Sequence, residues 1–134
     1  MNFNAYIDNT FAKLLYTKGY HKYSKKQYII YDDKTSVEDC HFNIGECAVF
    51  ELSTPNMTII YVPTILELTE WIYKHEPEWN ISVLWDNNLK GYYFYVQNIK
   101  TDYEYKQPCS PKNDNKETTY EWGLEHVIRR MNLN

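Results

Sequence analysis

The chain has 134 residues, a size that supports one ordinary hydrophobic core, and 43% of its residues are apolar, which excludes a disordered chain. A formal charge of −4 disfavours a domain held to duplex DNA through phosphates, and no apolar run reaches the length of a membrane span. The start, "MNFNAYIDNTFAKLL", has neither a basic lead nor a continuous apolar stretch, so it does not read as a signal peptide. Cys40, Cys47 and Cys109 are an odd set without framework spacing, as expected of reduced thiols in a cytoplasm.

Phe3, Ile7, Phe11 and Leu15 recur every fourth residue, and Gly19 follows the last of them. This spacing predicts a helix from about Asn4 to Lys18. Next comes "KGYHKYSKK", the densest basic stretch, with Lys22, Lys25 and Lys26 interleaved with Tyr20 and Tyr23. "QYIIYDD" predicts a short strand and "SVEDCHFNIGE" a loop. "CAVFEL" and "MTIIYV", joined by the turn formers "STPN", predict a hairpin. Cys40 and His41 lie in that first loop and Cys47 directly follows it, but they lack the paired spacing by which zinc ligands close a site at low entropic cost. No metal or other cofactor is expected.

Between Pro63 and Pro77 a second helix is expected, opened by Thr64 and Glu67 as a capping box. Ile65, Leu68 and Ile72 form its apolar stripe; Glu67, Glu70 and Lys74 take the other side. The crowding of His75, four glutamates and two tryptophans around this segment is thus accounted for by a two-sided helix. "ISVLW" and "YYFYVQNI" flank the turn-rich "DNNLKG" and predict a second hairpin, with "DYEYK" as an added edge strand. "QPCSPKNDNKE" reads as a polar loop. The final helix is expected to open on a capping box of Thr118 and Glu121, to bury Leu124, Val127, Ile128 and Met131, and to pair Glu125 with Arg129.

The element order predicts a single α+β domain over 1–134: one antiparallel sheet of about four to six strands, built on two hairpins, with three helices mainly on one face. No nucleophile elbow or glycine-rich phosphate loop is present, and the carboxylate pairs Glu67–Glu70 and Asp32–Asp33 read as a helix cap with its outer face and as a strand end, which points away from an enzyme. The most specific surface is a tyrosine set, Tyr93, Tyr95, Tyr103 and Tyr105, placed on the sheet as an interaction face. With Lys22, Lys25 and Lys26 it could also serve a small nucleic-acid-binding module, the second reading.

"FAKLLYTKGY" (Phe11 to Tyr20), "VPTILELTEWIYKHE" (Val62 to Glu76), "GYYFYVQNI" and "TYEWGLEHVIRRMNL" (Thr119 to Leu133) follow one another in a distinctive order. That order resembles a group of small, uncharacterised proteins carried by phages and prophages of Bacteroides-like gut bacteria. His41 to Cys47 and Gln107 to Lys116 depart from the pattern as inserted or divergent loops, and Trp122 stands where a small or acidic residue is expected. The resemblance implies a bacterial cytoplasm and an accessory role, with no catalytic residue to transfer. The expected partner is a host or phage protein, or a second copy of the chain.

Overall fold

The computed structural model describes residues 1–31, 37–41 and 57–131, with the backbone alone for 28–31, 37–41 and 57. The chain divides into two compact units, one of Met1–Phe3 with Ile65–Asn132 and the other within Asn4–Thr64. The architecture is α+β, as the element order predicts. The single sheet is corrected: the described strands form two antiparallel sheets of three strands each.

In the N-terminal unit α1 (Asn9–Thr17) packs on β3 (Met57–Val62), which pairs with β1 (Lys26–Tyr31), which in turn pairs with β2 (Val37–His41). The first helix starts later than its periodicity suggests. Ile7 donates its N–H to the Pro63 carbonyl at 3.1 Å and Tyr6 bridges Thr64, so this stretch is extended. Asp8 then caps the helix by accepting the Phe11 N–H at 2.8 Å. Phe3 and Ile7 kept the spacing of Phe11 and Leu15 without belonging to the helix. At the other end Gly19 has φ +93°, a left-handed conformation that suits glycine. Phe11, Ala12, Leu15, Ile60 and Val62 are buried.

Two expectations around this sheet change. "VEDCH" is a strand rather than a loop, and "MTIIYV" pairs with β1 in register Lys26↔Val62 to Tyr31↔Met57. The expected partner strand "CAVFEL" and the turn "STPN" lie outside the described residues.

The C-terminal unit holds α2 (Ile65–His75), the strands β4 (Trp79–Asp86), β5 (Gly91–Asn98) and β6 (Tyr103–Lys106), and α3 (Lys116–Arg130). The order in the sheet is β4–β5–β6. The β4–β5 turn is set by Asp86, whose carboxylate accepts the N–H groups of Asn88 and Leu89 at 2.8 and 2.9 Å. Helix α3 lies across β4 and β5. It opens on Asn115, whose side chain accepts the Thr118 N–H at 2.9 Å, so Thr118 lies inside the helix and is not its cap. Leu124, Val127, Ile128 and Met131 are buried as expected, and Arg129 meets Glu125 at 3.0 Å.

Gly123 is what lets α3 approach the sheet. A Cβ there would lie 2.8 Å from Ile81 Cγ2 and 3.4 Å from Phe94 Cβ, closer than packed carbons tolerate. The two-proline segment after β6 is pinned along β5. Tyr92 donates to the Asn113 carbonyl at 2.7 Å, the Asn113 amide returns a bond to the Tyr92 carbonyl at 2.8 Å, and Gly91 leaves room for the Ser110 carbonyl.

Candidate functional site

Register decides which side chains share a face of the β4–β5–β6 sheet, because directly opposed residues point the same way. Val96 faces Tyr105 and Asn98 faces Tyr103. These join Ile81, Val83 and Phe94 on the side packed by α3. Tyr93 and Tyr95 sit on the opposite side with Leu84, Ser82, Gln97, Glu104 and Lys106. The four tyrosines therefore do not form one surface; they divide two and two. Alternation within each strand is legible in the sequence, but the parity between β5 and β6 depends on the connection through Asp102, which takes φ 58°.

On the outer side two tyrosines are held by charged neighbours. The Lys106 ammonium lies 5.0 Å from the centre of the Tyr93 ring, and the Tyr95 hydroxyl donates to Glu104. That hydrogen bond, more than partial burial or the Glu104 charge, raises the Tyr95 pKa, since the bonded proton is harder to remove. Leu84, opposite Tyr93, is 42% exposed. The face is thus amphipathic, with one cation and one anion beside its aromatic rings.

On the inner side Tyr103 and Tyr105 build a cluster around His126 of α3. The Tyr105 ring stacks on the imidazole at 4.3 Å, and the Tyr103 hydroxyl lies 2.8 Å from His126 Nε2. Arg130, one turn further on, holds its guanidinium 4.6 Å from the Tyr103 ring centre. Burial first, and the Arg130 charge second, push the His126 pKa below its usual value. The neutral imidazole can then accept the Tyr103 proton at Nε2. His126 and Arg130 stand four residues apart on one helix, a spacing present in the sequence that reading for motifs passed over.

Tyr103 and Arg130 also line an open groove of about 740 Å³ with His75, Glu76, Glu78 and Lys100. Its ionisable groups are of both signs. Glu76 accepts from the Trp79 indole at 3.0 Å, and His75 donates from Nδ1 to the Trp71 carbonyl at 2.9 Å while its ring lies 4.3 Å from the Trp71 ring. These bonds tie Glu76 and His75 to the protein itself.

Lys22, Lys25 and Lys26 belong to the N-terminal unit, where Lys26 Nζ sits 5.7 Å from the Tyr6 ring centre. Cys40 and His41 are the last two residues of β2, and Cys47 lies outside the described residues. Among the described residues no three of His, Cys, Asp and Glu gather to hold a metal ion. No described helix is long and apolar enough to cross a membrane. No protein-family model, curated protein or solved structure matches the chain.

Proposed function

We propose that the chain is a non-enzymatic accessory protein that works by protein–protein contact, through the outer face of the β4–β5–β6 sheet. The observation that carries this reading is the set Leu84, Tyr93 and Tyr95 on the face opposite α3, with both phenol rings held by charged neighbours. Rings already fixed in place lose little freedom on binding, and amphipathic tyrosines anchor protein interfaces. The partner this chemistry fits is a folded protein presenting an uncharged, amphipathic patch. The setting is a bacterial cytoplasm during residence of a phage or related element, as the resemblance implies, with a host or phage protein as the partner.

The nucleic-acid reading has less support. The outer face of the sheet offers Lys106 alone as a cation, beside Glu104. Phosphate binding of useful strength neutralises several charges at once.

The test uses the purified chain as bait beside a Leu84→Ser, Tyr93→Ser variant of equal stability. A protein retained by the first and lost by the second supports the reading. Identical capture by both, or a gel shift with single-stranded nucleic acid that weakens steeply with salt, overturns it.

A further inference from the structure

The β4–β5–β6 sheet has two edges, and they are built differently. Backbone parity shows what each one presents. Phe94 exchanges bonds with Gln107, receiving at its carbonyl from the Gln107 N–H at 3.0 Å and donating its own N–H to the Gln107 side chain at 3.1 Å. Tyr92 is bonded to Asn113 on the same side. The even-numbered residues of β5 therefore direct their backbone groups toward β6, and the odd-numbered ones toward β4. Tyr93 and Tyr95 face Leu84 and Ser82, so these β4 residues direct their groups inward. Ile81, Val83 and Trp85 must then turn their N–H and C=O groups outward, along the open edge.

The β6 edge is guarded. That strand has four residues, its outward-directed positions are Glu104 and Lys106, and Pro108 follows closely. Beyond it, Gln107 and Asn113 occupy the remaining groups of β5. The β4 edge has none of these devices. Its eight residues, WNISVLWD, include no proline, glycine or lysine, and the one charge is the terminal Asp86. Leu84 and Trp85 are 42% and 44% exposed. A long, regular, nearly uncharged edge is a template for another strand.

We infer that β4 pairs with the β4 of a second copy, antiparallel about a two-fold axis at Val83, joining two three-stranded sheets into one of six. The sequence of β4 suits its own reverse. In this register Val83 meets Val83 of the second copy, Ile81 meets Trp85, Ser82 meets Leu84, and Asn80 meets Asp86. No like charges are opposed, and each Trp85 falls on a β-branched residue, a favourable cross-strand pair. The outward-directed residues Ile81, Val83 and Trp85 all fall at hydrogen-bonded positions of the new ladder, where opposed residues exchange both bonds. Pairing about any axis that places Asp86 opposite Asp86 loses this match. The inference does not rest on the outer-face reading above, since it uses the backbone of the edge and leaves Tyr93 and Tyr95 uncovered.

A dilution series by sedimentation velocity tests it on the whole chain, wild type beside three variants. The wild type is expected to pass from dimer to monomer on dilution. Val83→Pro keeps the bonds to β5, because the Val83 N–H points outward, but it removes the central donor and should abolish the dimer. Asn80→Asp places a carboxylate opposite Asp86 twice per dimer and should weaken it about fivefold, while Asn80→Lys should strengthen it by a similar factor, both effects shrinking at high salt. Circular dichroism checks that each variant folds, and the exposed Asn80 pair carries the test should Val83→Pro not fold. A wild type that stays monomeric throughout overturns the inference, as does a dimer indifferent to all three substitutions. A β4 edge that takes up only a strand of another protein also overturns it.

Discussion

Buried polar side chains meet opposite surroundings at Asn98 and Thr119 in the C-terminal unit and at Gln27 in the N-terminal one. In the C-terminal unit Asn98 is 3% exposed and Thr119 fully buried, yet both are bonded. The Asn98 side chain accepts the N–H groups of Lys100 and Thr101 at 3.0 Å each, and Thr119 donates to the Asn115 carbonyl at 2.7 Å while accepting from Asn113 at 2.9 Å. In the N-terminal unit Gln27, 1% exposed in the middle strand, has no partner for either side-chain atom among the described residues. Buried polar groups are tolerated where a turn or a helix start brings backbone groups to them. A long amide in a central strand has its neighbouring backbone groups already committed to the ladder.

The contrast can be probed separately in each unit, because Trp71, Trp79, Trp85 and Trp122 all lie in the C-terminal one, so tryptophan emission follows that unit. Leu124→Ala should have the largest effect. It empties a fully buried position beneath α3 and is expected to cost about 2–5 kcal/mol in tryptophan-detected urea unfolding. A loss below about 1 kcal/mol would show that the α3–sheet interior is not the packed layer described. Gln27→Met should act in the opposite direction. It keeps the shape and removes an unpaired amide, so calorimetry should show a gain of about 1 kcal/mol. A loss instead would mean that this amide is satisfied in solution.

The smallest effect concerns acid. The folded pKa of His126 lies below the ordinary 6.5, so between those two values the unfolded chain binds the proton more readily. The neutral ring's contribution is complete above about pH 6.5 and fades as pH falls toward the folded pKa. The midpoint of tryptophan-detected unfolding should therefore drop through that window, and His126→Phe should flatten the slope. An unchanged slope in the variant would assign the acid sensitivity elsewhere.

Much of the local structure was legible. The stripes Ile65–Leu68–Ile72 and Leu124–Val127–Ile128 announce α2 and α3, and turn chemistry at Asp86–Gly91 announces the β4–β5 hairpin. The misses have physical causes. "VEDCH" lacks the apolar alternation by which strands are recognised, yet its backbone pairs with β1 in register all the same. Thr118 has the capping-box pattern, but Asn115 reaches the free N–H first. Tyr103 and Tyr105 carry no mark of their face; only hydrogen-bond register across the β5–β6 connection assigns it. The same holds for the division into two sheets, which depends on β1 choosing β3 and β2 as neighbours.

The docking of residues 107–113 along β5 has a consequence for chain cleavage. The exposed bond after Lys112 offers trypsin a basic residue, but Asn113 beside it is tied to Tyr92 by backbone and side chain alike. A protease needs several extended residues in its cleft, so this stretch must peel away before it can be cut. Nicking at Lys112 should accordingly track the amide exchange rate of Tyr92, and replacing Asn113 by alanine should speed both together.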